Sequence, residues 1–425
     1  MRPPWPAAPS GEPGVSELVA RFRGLWAALE PIGRRDDGGY DRFAWSDADA
    51  ALRAWFRETA AQRGLALEQD RNGNLWAWWG HDPFNGPSPQ GAVAAGSHLD
   101  SVPRGGAYDG PLGVVCAFLA LDELRARRGE TSPGRPVAVV DFTEEEGARF
   151  GVACLGSRLA VGALDPTRAR SLRDAGGVSL ADAMRAAGAD PEGIGADDER
   201  LSRLAAFVEV HVEQGRFLVD AGAPIGVATG IWPHGRWRLR FDGEADHAGT
   251  AALGDRRDPM LPFAGMVAAA RSAAGAHGGL ATVGRAAVHP NATNAVAASV
   301  EAWLDARAPD DRTLESIVAD VLAQAAAAAA DHGVALTTSE ESRTAAVDFD
   351  GGLRGRVADA LGGAAPEMPT GAGHDAGILA TKVPTAMLFV RNPSGVSHSP
   401  AEHASDEDCA EGVRALARVL EELVR

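Results

Sequence analysis

The first half of the chain alternates short apolar runs with amphipathic stretches, which predicts strands alternating with helices. The predicted strands cover residues 91–96, 135–142 and 204–211. Pro111 opens a helix that continues to Arg128, and small residues near 153–163 predict another helix. This order is typical of an α/β fold with a mixed, mostly parallel sheet and helices on both faces. A polar cluster follows each strand, at the edge where such sheets bind ligands.

The middle of the chain has a different pattern. Trp237, Leu239 and Phe241 alternate with arginines, which predicts a half-exposed antiparallel strand whose apolar side faces the helices of its own domain. The further predicted elements are a helix over 258–276, strands over 281–288 and 295–306, a helix over 310–331 and a strand over 334–338. The resulting β-α-β-β-α-β order predicts a small ferredoxin-like α+β domain.

The α/β pattern returns after this small domain, so we predict that it is an insertion. The returning elements are a helix near 352–361, a loop over 370–375, a strand over 384–390 and a helix from 405 to the end. Residues 1–224 and 341–425 are expected to form one α/β domain, with residues 225–340 inserted between them. The Pro-rich start lacks the apolar segment of a signal peptide, so residues 1–15 are expected to be a disordered tail.

The composition limits the possible partners. A net charge of −17 makes the chain a poor candidate for binding nucleic acid or an anionic membrane. No run of about 18 apolar residues occurs in the sequence, so no transmembrane span is expected. Three cysteines are too few for a disulfide framework, which favours a reducing, cytoplasmic compartment. We therefore expect a cytoplasmic protein whose ligand is a small molecule.

Polar clusters at the predicted strand ends contain the residues that can carry chemistry. They are His98-Leu-Asp100 with Tyr108-Asp-Gly110, Glu144-Glu-Glu-Gly147, His211-Val-Glu-Gln214 and Ser397-His-Ser-Pro-Ala-Glu402. Adjacent glutamates alone are typical of a solvated loop, but beside imidazoles they suit a divalent metal ion. Imidazole favours zinc, carboxylates also accept manganese, and cobalt fits the same ligands. Two such ions about 3.5–4 Å apart could share one hydroxide nucleophile.

These clusters also carry a family resemblance. The chain resembles the M20 peptidase superfamily of metal-dependent amidohydrolases, and within it the branch of N-carbamoyl-L-amino acid hydrolases and allantoate amidohydrolases. The matching stretches are residues 96–103, 108–110, 143–150, 211–215, 246–250, 290–294, 371–375 and 397–400. The resemblance implies a zinc-peptidase-like catalytic domain with two divalent metal ions per subunit. It also implies a homodimer, in which the inserted domain is a dimerisation lid.

The resemblance assigns the metal ligands residue by residue. His98, Asp109 and His211 match the ligands of one metal ion. Asp109, Glu146 and His398 match the ligands of the second ion. The resemblance therefore implies a pair of metal ions bridged by Asp109.

The resemblance also implies a general base and its surroundings. Glu145 matches the family's general base, which must lie beside the metal without being one of its ligands. Asp100 resembles the carboxylate that orients the imidazole of His98, although a solvated loop aspartate is an equally good interpretation. The resemblance gives no role to His374 or Asp375.

The substrate contacts come from the same resemblance. The matching residues are Gln214, His247, Asn294 and Arg307, together with the backbone of Gly371 and Gly373. His247 is implied to reach the partner subunit's site and to help stabilise the oxyanion. Arg307 lies on an alternating strand, where a solvated face is the ordinary alternative, and the glycines could simply allow a tight turn. The chain departs from the family's usual residues at 251–253 and 297–299, which leaves the particular substrate open.

These observations predict a metal-dependent hydrolase that cleaves a linear C–N bond other than a peptide bond. The expected substrate is an N-carbamoyl-L-amino acid or a ureido acid such as allantoate, attacked by a metal-bridged hydroxide with Glu145 as base. An N-formyl or N-acyl amino acid deacylase ranks third, and a dipeptidase ranks below it. An inactive metal-binding homologue is the alternative outside enzymes, and the intact ligand and base positions argue against it.

Overall fold

The computed structural model describes residues 13–82, 90–128 and 134–425, so most of the predicted tail at residues 1–15 lies outside the described residues. The helices are α1 (Val15–Leu29), α2 (Asp47–Gln62), α3 (Pro111–Arg128), α4 (Leu155–Ala160), α5 (Pro166–Ser171), α6 (Leu180–Ala186), α7 (Asp198–Leu201), α8 (Phe217–Ala221), α9 (Met260–His277), α10 (Asp311–Asp331), α11 (Gly351–Ala360), α12 (Asp375–Leu379) and α13 (Asp406–Leu423). Short 3₁₀ helices cover Pro191–Gly193 and Leu253–Asp255.

The strands belong to separate sheets. They are β1 (Ala66–Gln69), β2 (Leu75–Trp79), β3 (Ala92–His98), β4 (Val137–Phe142), β5 (Leu204–Val212), β6 (Ile225–Ile231), β7 (His234–Asp242), β8 (Asp246–His247), β9 (Leu280–His289), β10 (Ala295–Val296), β11 (Ser299–Arg307), β12 (Ala335–Thr344), β13 (Val347–Asp348), β14 (Glu367–Thr370) and β15 (Thr385–Val390). The larger sheet has the order β1-β2-β4-β3-β5-β15-β6-β13, with β14 paired to β6.

The centre of the larger sheet is parallel and its flanks are antiparallel. Strands β4, β3, β5 and β15 pair in parallel, whereas β2 pairs antiparallel with β4 and β6 antiparallel with β15. Every residue of β3, β4 and β15 is buried, which requires cover on both faces. The predicted α/β fold with a mixed, mostly parallel sheet is confirmed.

The described chain divides into two compact units. Unit 1 contains the described residues up to 229 together with residues 348–368 and 373–425, and unit 2 contains residues 230–347 and 369–372. Unit 2 has a four-stranded sheet in the order β12-β7-β11-β9, and these four strands with helices α9 and α10 follow the predicted β-α-β-β-α-β order along the chain. The role of this unit as a dimerisation lid stays a prediction.

The core of unit 2 explains its alternating strand. Trp237, Leu239 and Phe241 are buried in one cluster with residues of α9 and α10, as predicted. The single strand predicted over 295–306 is wrong, because β10 pairs with β8 in a separate two-stranded ribbon and β11 pairs with β7 and β9. The chain therefore changes sheet between the two-residue strand β10 and the longer strand β11.

Helix α10 is long and apolar enough to cross a membrane, judged by length and composition alone. The core helix of a globular domain passes the same test. Leu314, Ile317 and Val321 of α10 are fully buried in the cluster that contains the strands of unit 2. We therefore interpret α10 as a core helix.

Candidate metal centre and active site

Neighbouring parallel strands bring the predicted ligands to one edge of the larger sheet. His98 is the last residue of β3, and His211 lies at the end of β5. Glu145 and Glu146 follow β4, Asp109 precedes α3, and His398 lies in the loop between β15 and α13. Because parallel strands end on the same side, these loops converge.

Asp109 lies at the centre of this cluster. Its Oδ1 atom is 3.1 Å from Nε2 of His211 and 3.6 Å from Nε2 of His98. Its Oδ2 atom is 3.5 Å from Nε2 of His398, which is also 3.5 Å from Oε2 of Glu146. The ligand atoms of each predicted metal group lie within 4.8 Å of one another. The structure thus brings all of the predicted ligands together, with Asp109 common to both groups.

The histidine tautomers fit a metal ion. Nδ1 of His98 lies 3.1 Å from the carbonyl oxygen of Asp100, and Nδ1 of His211 lies 2.9 Å from that of Val212. A carbonyl only accepts, so each ring carries a proton on Nδ1, and in its neutral form it presents a bare Nε2 to the cluster. Both Nε2 atoms, and Oε1 of Glu146, are buried without a hydrogen-bond partner among the described residues. A divalent cation would satisfy these otherwise costly atoms.

The charge balance of the cluster also favours a cation. Burial raises the pKa of Glu145 well above its usual value, although His98 opposes the shift. Burial, and then the carboxylate of Asp109, raise the pKa of Glu146 in the same way. Burial also opposes the ionisation of Asp109, but His211 holds the pKa of that carboxyl well below its usual range. A bound divalent cation would compensate these crowded buried acids.

Glu145 lies beside the ligand groups without belonging to either. Its Oε2 atom is 3.8 Å from Nε2 of His98, and its Oε1 atom accepts the thiol of Cys154 at 3.3 Å. The side chain is buried. This position suits a proton acceptor that stays free of the metal.

Asp100 lies beside the ring of His98 with both its backbone and its side chain, and its role in orienting that imidazole stays a prediction. Its backbone carbonyl lies 3.1 Å from Nδ1 of His98 and accepts the proton of that nitrogen. The carboxylate lies 3.4 Å from that ring nitrogen and accepts the backbone N–H groups of Glu145 and Glu146 at 3.0 and 3.1 Å. Asp100 therefore fixes both sides of the site, the imidazole through its backbone and the glutamate loop through its side chain.

Gly110 is required by the ring of His98. Gly110 has a φ of +85°, and a Cβ atom there would lie 2.3 Å from Cε1 of His98. Any side chain would therefore displace the imidazole as well as strain the backbone. This contact explains a glycine directly after Asp109.

Gln214, predicted to contact the substrate, makes a hydrogen bond to Asp109 at the centre of the cluster. Its Nε2 atom donates a hydrogen bond of 2.8 Å to Oδ2 of Asp109. Its Oε1 atom is buried and has no hydrogen-bond partner among the described residues. That oxygen is therefore an acceptor that no described protein group satisfies.

Unit 2 brings two of the predicted substrate residues together. His247 is in β8 and Asn294 directly precedes β10, and the carbonyl of Asn294 accepts the N–H of Ala248 at 3.0 Å. Nδ1 of His247 accepts the N–H of Gly249 at 3.0 Å, so its neutral ring carries the proton on Nε2. Both residues are exposed, and within the described ranges His247 makes no hydrogen bond through Nε2.

Arg307 is engaged by protein groups. Its Nη1 atom donates to the carbonyl of Gly371 at 2.8 Å, and its Nε atom donates to Oδ1 of Asp305 at 2.9 Å. Gly373 belongs to unit 1 and lies just before α12. The substrate roles predicted for Arg307, Gly371 and Gly373 stay predictions.

Sequence reasoning gave no role to several residues that the structure places in the cluster. His374 is buried, and its ring centroid lies 4.5 Å from that of His211. The hydroxyl of Ser397 lies 2.9 Å from Oδ2 of Asp109, although 288 positions separate the two residues. The thiol of Cys154 reaches Glu145. Motif spacing shows such residues near the site but does not show what they touch.

Comparison with known proteins shows which family the chain belongs to. Residues 94–422 match the family model of peptidase family M20/M25/M40. The chain belongs to this family. It is 35% identical to the N-carbamoyl-L-amino acid amidohydrolase of Geobacillus stearothermophilus, over 94% of this chain and 98% of the relative. It is 32% identical to the allantoate amidohydrolase of Bacillus subtilis, over 93% of this chain and 95% of that protein.

A solved structure of this M20 branch has a similar fold. The crystal structure of AtUAH in complex with (S)-hydroxyglycine superposes with a TM-score of 0.83 and is 28% identical, covering 97% of this chain and all of that one (100%). The predicted family and branch, and an amidohydrolase that acts on a C–N bond, are confirmed. The candidate groups agree with divalent metal binding by this M20 enzyme.

Proposed function

We propose that this M20 amidohydrolase cleaves the linear C–N bond of an N-carbamoyl-L-amino acid or of a ureido acid such as allantoate. The observation that carries the proposal is a pair of buried imidazole nitrogens that face Asp109, with Glu145 alongside, and that have no hydrogen-bond partner within the described part of the chain. The named activities of the Geobacillus and Bacillus relatives, which align along almost the whole chain, support the substrate class.

The proposed ligands divide into two groups that share Asp109. His98, Asp109 and His211 would hold one divalent ion, and Asp109, Glu146 and His398 would hold a second. Imidazole and carboxylate ligands suit zinc or manganese, and cobalt as a substitute. Bound divalent ions supply Lewis acidity, which lowers the pKa of water and polarises a scissile carbonyl.

Glu145 is the proposed general base. It accepts a proton from the attacking water at a carboxylate oxygen and later returns that proton to the leaving nitrogen. Its burial and raised pKa suit a carboxyl that must hold a proton between the two transfers. The proposed role of His247 is to donate its Nε2–H to the oxyanion, because Nδ1 already accepts the N–H of Gly249.

Gln214 and Arg307 are the proposed determinants of the substrate class. Oε1 of Gln214, which has no hydrogen-bond partner among the residues that the structure describes, suits an N–H of a carbamoyl group, and a formyl group lacks an N–H at that position. Arg307 offers a planar guanidinium for a substrate carboxylate, and its contact with the carbonyl of Gly371 fixes its direction. Asn294 and the backbone at 371–373 are proposed to complete the contacts.

We further propose a cytoplasmic homodimer joined through unit 2. Exposed apolar side chains of unit 2 are Leu253, Met260, Leu261, Val267 and Leu280. Strand β9 is an edge strand of its sheet, so its free edge is available to a second copy. The buried free thiols of Cys116, Cys154 and Cys409 agree with a reducing compartment. Light scattering after size exclusion measures the mass directly.

A substrate panel tests the proposed function. The metal-free protein is reloaded with manganese or zinc and assayed on N-carbamoyl, N-formyl and N-acetyl amino acids and on allantoate. We expect the carbamoyl compounds or allantoate to give the highest kcat/KM. Faster turnover of the formyl or acetyl series would identify a deacylase instead. Metal binding without turnover of any compound would favour the inactive homologue.

A further inference from the structure

Glu402 is a buried carboxylate that no step of the proposed reaction uses. It lies in the loop between β15 and α13, and only 5% of its surface is exposed. Its Oε1 atom accepts the backbone N–H groups of Tyr108 and Asp109 at 2.8 and 2.9 Å. Consecutive N–H groups that converge on one oxygen fix the backbone between them, and hence the direction in which the Asp109 side chain leaves it.

The space for Glu402 is provided by a glycine. A Cβ atom on Gly106 would lie 2.2 Å from both Cδ and Oε1 of Glu402. The carboxylate therefore packs directly on the backbone of the segment that carries Asp109. A larger residue at this position would push the carboxylate away from its N–H donors.

Ser397 links the same carboxylate to the second metal group. Its hydroxyl lies 2.9 Å from Oδ2 of Asp109 and 3.1 Å from Oε2 of Glu402, and it directly precedes His398. Glu402 thus contacts both the backbone that presents Asp109 and the loop that presents His398. These two segments are 293 positions apart at the Asp109 contact, so no local structure holds them together.

We propose that Glu402 is a positioning residue that holds Asp109 and the His398 loop in metal-binding geometry. The inference rests on the ligand set of the proposed function. Glu402 performs this role by accepting the two backbone N–H groups, and its negative charge is not needed. A glutamine keeps an acceptor oxygen for both N–H groups and an amide that can donate to Ser397, so Glu402→Gln should be tolerated. Alanine leaves two buried N–H groups without a partner.

Zinc affinity tests this role without relying on activity. Apo-protein is titrated with zinc in competition with a chromophoric chelator, and cobalt spectra of the same variants report the coordination. We expect Glu402→Ala to weaken zinc binding roughly 10- to 100-fold, as loss of a group that orients a ligand commonly does. Glu402→Gln should bind zinc about as tightly as wild type, and Gly106→Ala should resemble Glu402→Ala. If Glu402→Ala does not fold, Glu402→Gln and Gly106→Ala decide the question.

Asp70 provides a matched control. It is similarly buried, at 4%, and one of its oxygens accepts the N–H groups of Asn72 and Asn74 at 2.9 Å each. Asp70→Ala should lose stability while its folded fraction keeps wild-type zinc affinity, which separates positioning of the ligands from general support of a loop.

Each failure has a distinct signature. Wild-type zinc affinity in Asp109→Ala would refute the proposed ligand set and this inference with it. Loss of zinc in Asp109→Ala but not in folded Glu402→Ala would refute the inference alone. Equal loss in Glu402→Gln and Glu402→Ala would also refute it, because charge and not the acceptor pattern would then matter.

Discussion

The metal cluster of unit 1 and the predicted substrate residues of unit 2 are built in different ways. In unit 1, the imidazoles of His98 and His211 are fully buried, and a backbone carbonyl holds each ring. In unit 2, His247 and Asn294 are exposed on a ribbon of two short strands, which supports them with few contacts. Arg307 is held by Asp305 on the same strand.

This difference teaches which property each region controls. Buried side chains with fixed partners keep their geometry before a ligand arrives, as a metal site requires. Exposed side chains on a short ribbon can adapt to a substrate but cannot by themselves define a metal site. Substitutions in unit 2 should therefore change catalysis and specificity and leave metal content unchanged.

The largest effect in unit 2 is expected from His247→Ala. Removing one donor to a developing oxyanion costs roughly 10²- to 10³-fold in kcat, so we expect a loss of this size. Metal content, measured by elemental analysis, should equal that of wild type. A fall in metal content would contradict the division of roles between the two units.

Arg307→Lys should give the next largest effect. Lysine cannot form two parallel hydrogen bonds to a carboxylate, and a charge-assisted hydrogen bond contributes about 1.5–3 kcal/mol. We expect kcat/KM for the acid substrate to fall roughly 10- to 150-fold. The neutral amide of the same substrate is the control, because the variant should discriminate less between acid and amide. Unchanged discrimination would leave Arg307 as a partner of Asp305 only and make the backbone at 371–373 the better carboxylate site.

Gln214→Met should have a smaller and more selective effect. It removes the acceptor Oε1 together with the hydrogen bond to Asp109, at nearly constant side-chain size. Loss of one hydrogen bond to substrate, about 1–1.5 kcal/mol, should reduce kcat/KM for a carbamoyl substrate about 10-fold more than for the formyl analogue. Equal losses for both substrates would show that Gln214 acts only through Asp109.

A separate effect concerns stability and not activity, at Asp141 in β4 of unit 1. Burial raises the pKa of Asp141 to about 8. The folded state therefore keeps a proton that the unfolded state releases above about pH 4, so the free energy of unfolding falls as pH rises from about 4 to 8. For one proton the slope is at most about 1.4 kcal/mol per pH unit.

Asp141→Asn should lack this contribution, because asparagine does not titrate. Urea unfolding of both proteins at pH 5 and pH 8 measures it, and wild type should lose more stability than the variant between the two values. A difference between the proteins that does not change with pH would contradict the assignment.

Local signals explain which parts of the fold were predictable. Pro111 begins a helix whose predicted bounds are those of α3, and the buried strands were visible as apolar runs. The hairpin of β1 and β2 and the helices α1 and α2 were not predicted. Helix α2 does carry a readable signal, since the side chain of Ser46 accepts the N–H of Asp49 as an N-cap.

The candidate site was predictable as a set of residues but not as a set of contacts. Motifs at strand ends identified the residues that converge around Asp109. They could not show that Gln214 donates to Asp109 or that Glu402 accepts its backbone N–H, because 105 and 293 positions separate these pairs. Such contacts depend on the path of loops between strands, which hydrophobic periodicity does not encode.

The central claim is that Glu145 moves the proton while Glu146 holds metal, and one paired measurement tests it. Metal content and kcat are determined on Glu145→Gln and Glu146→Gln prepared in the same way. We predict that Glu145→Gln keeps wild-type metal content and loses most turnover, because only the proton acceptor is removed, whereas Glu146→Gln loses metal as well as turnover. Equal metal loss in the two variants, or full turnover in Glu145→Gln, would contradict the account.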